Sequence, residues 1–331
     1  YELMQNFLEI KGSFSWSTKA NYGRVLKCLG LYPISNMPIK YVKMSDAKCY
    51  ILKIAETRKY RTVAVHKTAL KSAFEMAREE RIIPYNPFDF ELSTLLKKEV
   101  NIKNALTDYE IQEFFDFIRE TSYQKYEDEF RILLGTGLRI SELYGLTMND
   151  IDFQHRRIHV NHQLSYRWAD NKTTWVIHPP KSKAGNRFVP MSEEVYQCFL
   201  NVLHDRPHPE KEPEVDGYTD FVFLSKVKPY GLKCENFILR VLQRIEKNYS
   251  IMYPDKENLP HITPHVFRHT FCTNLINNGA NLKTVQYIMG HSNVDMTLSI
   301  YSHATEESVF KDFYNISSLQ NTHNEYRYKV V

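Results

Sequence analysis

The sequence contains no run of about 18 uninterrupted apolar residues, which removes a membrane-spanning reading. Cysteine is sparse. Cys28, Cys49, Cys198, Cys234 and Cys272 are odd in number, far apart and form no CxxC pair, so a zinc module has nothing to stand on. They read as reduced, buried thiols in a cytoplasmic protein. Strong net charge is also missing: +4 over the chain is too little to argue for a polyanionic partner by itself. There is no internal repeat and no low-complexity tract. The opening Tyr1-Glu2-Leu3-Met4 lacks an initiating Met, a basic n-region and an apolar signal core, so the natural N-terminus is expected upstream.

What is present is ordinary globular composition, 43% hydrophobic and 25% charged, over 331 residues. That length is comfortable for two domains, each burying its own core. The charge is unevenly placed: between Lys11 and Lys71 there are 13 Lys or Arg against two acids, Asp46 and Glu56. From residue 101 onward acids slightly outnumber bases. The positive field therefore belongs to the N-terminal part and suggests a surface that holds a phosphate backbone, with Lys19, Arg24, Lys27, Lys59, Arg61, Lys67 and Lys71 as candidate contacts. The bland reading of the same residues is a solvated lysine-rich face.

Periodicity and caps predict helices over 17–29, closed by Gly30, over 45–56 with Ser45 as cap, and over 61–81 before Pro84 and Pro87. This is a basic, all-helical unit over residues 1–94. Residues 95–104 lack an apolar period and read as a linker. Thr107-Asp108-Tyr109-Glu110 then looks like a capping box that opens a new helix. Further on, 157–164, 174–177 and 188–189 read as strands of one small antiparallel sheet, and 205–219 as a long exposed loop. Thr263 followed by Pro264 caps a helix that should run to Asn278, with Gly279 as its stop, and more helices fit 282–289, 295–301 and 306–314. The expected fold is mainly α with a small antiparallel β-sheet.

Four segments put unusual polar residues into apolar surroundings. In Gly135-Thr136-Gly137-Leu138-Arg139-Ile140-Ser141-Glu142-Leu143, two glycines make a tight turn and Arg139 begins a helix three residues before Glu142, whose carboxylate could hold it. Pro180-Lys181-Ser182-Lys183-Ala184-Gly185-Asn186-Arg187 is a basic turn between two strands that could push a lysine into a site, with Lys183 and Arg187 as candidate DNA contacts. In His265-Val266-Phe267-Arg268-His269-Thr270, His265 and Arg268 share a helix face. Met289-Gly290-His291-Ser292 is followed, ten residues after His291, by Tyr301. Taken singly each has a plain structural reading: a helix salt bridge, solvated lysines, a histidine at a helix end, a core tyrosine. His265 and His269 are spaced like a zinc pair but have no HExxH glutamate and no third ligand.

Jointly, and in this order, the segments resemble the signature of the tyrosine recombinase, or phage integrase, family: an Arg in T-G-L-R-x-S-E-L, a β-hairpin Lys, H-x-x-R, a G-H and a C-terminal Tyr. The match runs over roughly residues 105–303, and the N-terminal helical unit is similar to the family's core-site DNA-binding domain. The resemblance is greatest to integrases of phages and conjugative transposons.

It implies a helical core-binding domain at 1–94, a linker at 95–104, an α+β catalytic domain at 105–303, and a tail at 304–331 that packs on its own domain or on a neighbouring protomer. It implies catalytic roles for Arg139, Lys181, His265, Arg268, His291 and Tyr301, with Glu142 orienting Arg139 and Lys183 as the second candidate for the hairpin lysine.

The implied reaction integrates and excises a mobile element through a 3′-phosphotyrosine link and a Holliday junction. It acts on double-stranded DNA at element ends and target, in dimers to tetramers, in the bacterial cytoplasm on the nucleoid. The resemblance implies no metal, no nucleotide cofactor and no membrane, and an excisionase as accessory partner. A type IB topoisomerase uses a similar residue set, and an Xer-type resolvase shares the chemistry. Strand exchange separates the first of these from an integrase.

Overall fold

The computed structural model describes residues 1–10, 16–97, 105–169 and 172–301. Backbone contacts divide the chain into two units, Tyr1–Ile102 and Lys103–Val331. Among the described residues no helix is long and apolar enough to cross a membrane. The first unit contains α1 (Glu2–Ile10), α2 (Trp16–Leu29), α3 (Met44–Ala55) and α4 (Tyr60–Glu79). The other three helices pack on α4, whose Val63, His66, Leu70, Phe74 and Ala77 recur every three or four residues and are buried. Lys43, not Ser45, is the cap residue of α3. The Asp46 carboxylate accepts the Lys43 N–H at 2.9 Å, and an acid in the first turn also meets the positive end of the helix.

Leu95 and Leu96, expected in the linker, pack against the core of this unit, while 98–104 lie outside the described residues. The five cysteines are free thiols, but only Cys198 and Cys272 are buried; Cys28 and Cys234 are half-buried and Cys49 is exposed.

The second unit is helical with two small antiparallel sheets. Its helices are α5 (Asp108–Arg119), α6 (Glu127–Thr136), α7 (Ile140–Leu143), α8 (Glu193–His204), α9 (Glu235–Met252), α10 (Pro264–Asn277), α11 (Leu282–Met289) and α12 (Asp295–Tyr301). The expected capping box opens α5: Thr107 Oγ1 accepts the Glu110 N–H at 3.2 Å, and the Glu110 carboxylate accepts the Thr107 N–H at 2.7 Å. Thr263 caps α10 and Pro264 takes its first position. Rings from α5, α6 and α10 meet at the centre. Phe114, Phe130 and Phe267 lie pairwise with centroids 5.4 to 5.6 Å apart, and each such pair adds about 0.5–1.5 kcal/mol beyond its buried area. This contact packs α6 against α10 at Phe267, the residue next to Arg268.

The strands are β1 (Ile151–Asp152), β2 (Arg157–Val160), β3 (Gln163–Ala169), β4 (Lys172–His178) and β5 (Arg187–Pro190). They form a three-stranded sheet in the order β1-β2-β5 and a separate β3-β4 ribbon. The single strand expected over 157–164 is therefore two. In-out alternation runs unbroken from Ile158 to Leu164, but the hydrogen-bond partner changes from β5 to β4 at Asn161 and His162, where the buried His162 Nε2 meets the Gly145 carbonyl at 2.6 Å. Alternation reports which face is buried, not which strand is next door. For the same reason the lysine-bearing segment 179–186 is a crossover from one sheet to the other rather than a hairpin turn, with a 3-10 turn at Lys183–Gly185.

Residues 205–219 form a loop pinned at two points. Buried Arg206 donates to the Phe221 carbonyl at 2.9 Å and forks onto Glu212, and Val215 is buried. The expected helix at 306–314 lies outside the described residues.

Candidate active site

The first site residue is positioned by a helix ending. Gly137 leaves α6 at φ 62°, and its N–H donates to the Leu133 carbonyl at 3.0 Å. A Cβ there would stand 2.5 Å from the Phe271 ring, so both the conformation and the space require glycine. The chain then turns at once into α7 with Arg139 as its cap residue. Glu142 accepts the Arg139 N–H at 2.9 Å through one carboxylate oxygen and Arg139 Nη1 at 2.7 Å through the other. The carboxylate is wholly buried, while the Arg139 side chain stays 28% exposed. One face of that guanidinium is thus held and the other remains open to a ligand.

Arg187 is placed otherwise than the sequence suggested. It was a candidate DNA contact, but its side chain has no exposed surface, and it forks onto Glu142 with Nη2 to Oε2 at 3.0 Å. The inward face of β5, shared with Val189, carries it into the protein. Arg268, on the inner face of α10, donates Nη1 to the Gly137 carbonyl at 2.6 Å and Nη2 to the Met289 carbonyl. Those carbonyls belong to the turn before Arg139 and to the last residue of α11, so Arg268 joins two motifs far apart in sequence.

Three guanidinium groups surround one carboxylate here. Burial pushes the Glu142 carboxyl up, but Arg187, then Arg139 and Arg268, outweigh it and hold it below the ordinary range. Burial, reinforced by Arg139, lowers Arg268 to about 9, so it stays protonated at neutral pH.

His291 follows the left-handed Gly290 (φ 61°) that ends α11. Burial, then the charges of Arg268, Arg139 and Arg187, depress it to about 4. The ring is therefore neutral at pH 7. Its Nδ1 lies 3.0 Å from the Thr297 hydroxyl on α12. If that hydroxyl donates, the ring proton sits on Nε2, where it can be offered to an anion.

A cleft of about 300 Å³ is lined by Arg139, Ser141, Gln163, Lys181, Ser182 and His265, among others. Lys181 and His265, distant in sequence, thus face one cavity with Arg139. Lys183 is exposed and is not in that lining. His265 is exposed in the first turn of α10, one turn before Arg268. Tyr301 is the last residue of α12; its side chain and residues 302–331 lie outside the described residues. No group of three His, Cys, Asp or Glu side chains arranged to hold a metal ion occurs among the described residues.

In the first unit Lys19, Arg24, Lys27, Lys59 and Arg61 are exposed. Lys67 is half-buried with its ammonium 5.5 Å from the Phe90 ring centroid, and Lys71 is paired with Asp89, which weakens the case for both as phosphate contacts.

A larger cavity of about 740 Å³ between α6, α8 and residues 222–224 shares no lining residue with the site. Its Arg131, Arg206, Lys226 and Lys233 are each matched by a carboxylate, leaving little field for an anion.

Residues 104–308 match the phage integrase family model. The transposase of transposon Tn916 from Enterococcus faecalis is 42% identical over 276 residues, 83% of this chain and 66% of that protein. The chain thus spans slightly less than two thirds of the length of that relative. The tyrosine recombinase XerC of Bacillus subtilis (strain 168) is 30% identical over 261 residues, covering 75% of this chain and 71% of its own. Among solved structures, the Tn1549 transposon integrase in complex with a circular intermediate DNA superimposes with a TM-score of 0.87 at 39% identity, covering 95% of this chain and 98% of the other.

Proposed function

Because the chain belongs to the phage integrase family, we propose that it is a tyrosine recombinase that cuts and rejoins DNA through a 3′-phosphotyrosine bond at Tyr301. The observation that carries this reading is the convergence of Arg139, Arg187 and Arg268 on the single carboxylate of Glu142, next to a neutral His291. Positive charge exceeds negative there. A phosphodiester brings one negative charge, and nucleophilic attack adds a second as the pentacoordinate phosphorus forms, so the surplus is best matched in the transition state.

In this reading Arg139 and Arg268 neutralise the two nonbridging oxygens, for which a permanent planar cation suits better than an ammonium. His291 donates its Nε2 proton to one of them. The Tyr301 oxygen attacks phosphorus while its proton passes toward His265, since a phenol with an ordinary pKa near 10 is a poor nucleophile at neutral pH. The bond to the 5′-oxygen breaks, and Lys181 supplies that oxygen with a proton. The ester bond is conserved in the phosphotyrosine, so attack by a 5′-hydroxyl from another strand reverses the chemistry and joins new partners. The cycle balances without a nucleotide cofactor or a metal ion.

Residues 1–94 are read as the core-site DNA-binding domain, 105–303 as the catalytic domain with 95–104 between them, and 304–331 as a tail that packs within its domain or on a neighbour. Exposed Lys19, Arg24, Lys27, Lys59 and Arg61 are the proposed phosphate contacts of the first domain, with Lys183 beside the active site. The similarity to a transposon transposase and to an integrase solved with circular intermediate DNA supports a mobile element as the substrate. Integration and excision then proceed through a Holliday junction in a homo-oligomer of two to four protomers, in the bacterial cytoplasm, with an excisionase as the accessory partner.

The test is a nicked suicide duplex carrying the element's end sequence, incubated with wild type and with Tyr301→Phe. A DNA-linked protein band from wild type alone supports the reading, and transfer of that strand to a second duplex separates a recombinase from a topoisomerase. No covalent band from protein that demonstrably binds the duplex counts against it.

A further inference from the structure

Arg187 makes four hydrogen bonds, and they end on three different segments. Nη1 and Nη2 reach the two Glu142 oxygens at 3.3 and 3.0 Å, Nη1 also reaches the Gly185 carbonyl at 3.0 Å, and Nε reaches the Ile288 carbonyl at 2.6 Å. Each segment carries a residue assigned above to the chemistry. Glu142 holds Arg139, Gly185 belongs to the crossover that carries Lys181, and Ile288 lies three residues before His291. Gly290 packs so closely that a Cβ would come within 2.9 Å of Arg187 Nη1 and 3.0 Å of its Cζ. The turn leading to His291 is therefore shaped around this guanidinium.

We propose that Arg187 is a positioning residue for strand transfer: without touching DNA, it sets the orientation of Arg139 through Glu142 and fixes the Lys181 crossover and the His291 turn relative to it. The inference rests on the strand-transfer reading above. A planar guanidinium is the side chain that can satisfy a carboxylate and two carbonyls lying in different directions at once. Lysine would keep the charge next to Glu142 but cannot span the carbonyls of two further segments. Arg139 uses the other side of the same carboxylate, so a change in the Glu142 rotamer moves Arg139 with it. Charge neutralisation of the scissile phosphate therefore depends on a residue with no exposed surface.

A buried arginine that only held the fold together would slow every reaction alike, and the substrate can be chosen to tell the difference. The experiment compares Arg187→Lys and Arg187→Gln with wild type on two suicide duplexes, one with a natural scissile phosphate and one with a methylphosphonate there. The methylphosphonate lacks the charged oxygen that Arg139 is assigned to neutralise. Single-turnover formation of covalent protein-DNA complex is the readout, with DNA affinity measured alongside.

On phosphate both variants are expected to be slower than wild type by about 30-fold or more, with affinity within about twofold. On methylphosphonate the deficit relative to wild type should shrink to under about fivefold. Comparing the two substrates within one preparation cancels the fraction of protein that is folded, so the ratio can be read even for a destabilised variant. An equal deficit on both duplexes, or none on phosphate, overturns the proposal. Absence of covalent complex with wild type would overturn the strand-transfer reading itself, a different result from an active wild type with an indifferent Arg187.

Discussion

Replacing Glu142 by glutamine changes one charge and almost no volume, and the structure says what that should do. The carboxylate accepts four hydrogen bonds, from the Arg139 N–H, Arg139 Nη1, Arg187 Nη1 and Arg187 Nη2. The amide keeps one oxygen and turns an NH₂ toward a guanidinium that has no solvent to fall back on. Arg187 is left as a buried cation without a counter-charge, and breaking such a pair typically costs about 3–5 kcal/mol. For a unit of this size that is about 6–20 °C in Tm, and a large part of a total stability of about 5–15 kcal/mol.

The assay is differential scanning calorimetry of the whole chain, following the transition of the second unit. The double variant Glu142→Gln with Arg187→Gln should recover part of the loss, because the stranded charge goes with the carboxylate that matched it. Glu142→Gln should also lose its acid-sensitive contribution. The folded carboxyl is held below its ordinary 4.5, so its stabilisation is present above that value and lost as pH falls through the lower folded value. A Tm within about 2 °C of wild type would refute the claim that this carboxylate organises the site.

His291, neutral in the fold with its pKa depressed from 6.5 to about 4, makes a second pH signature. Between those values the unfolded chain binds the extra proton, so stability rises with pH across that window, by about 3 kcal/mol at most. Denaturant titrations of His291→Gln should show a flatter acid limb than wild type, and parallel limbs would contradict the assignment. Lys181→Ala should slow covalent complex formation strongly, whereas Lys183→Ala should alter mainly affinity. A 5′-sulfur leaving group, which needs no proton, should restore Lys181→Ala; failure to do so, or a larger rate loss in Lys183→Ala, would exchange their roles. Arg24→Ala and Lys27→Ala should each reduce the slope of log affinity against log salt by about 0.9 for a lost phosphate contact, as read by fluorescence anisotropy. An unchanged slope would remove those residues from the DNA surface.

The chemistry was legible in the sequence where it depends on local residue type. Gly137 before Arg139, with Glu142 three residues on, marks the turn and the ion pair that the fold contains, although Gly135, read as part of that turn, lies inside α6. His265 and Arg268 declare a shared helix by their spacing, and Thr263-Pro264 fixes where that helix begins. What the sequence did not reveal depends on partners far along the chain. Arg187 looked like one more cation in a basic turn, although β5 alternation with Val189 placed it on the inward face. Two of its three partner segments lie 45 and 101 residues away, at Glu142 and Ile288, and no local pattern announces them. The break between β2 and β3 was hidden because burial alternates straight through it. The helix α9 went unread in the sequence, although Ile238, Val241, Leu242, Ile245 and Tyr249 keep helical spacing and are buried.

The proposed chemistry stands or falls on the identity of the nucleophile. Wild-type protein should be trapped on a suicide duplex, digested with nuclease and trypsin, and its DNA-linked peptide sequenced by mass spectrometry. A nucleoside 3′-phosphate is expected on the oxygen of Tyr301, in the peptide that spans residues 284–311. The same adduct on any other of the 22 tyrosines, or on a serine, would show that strand transfer runs through a different residue and that the assignment is wrong.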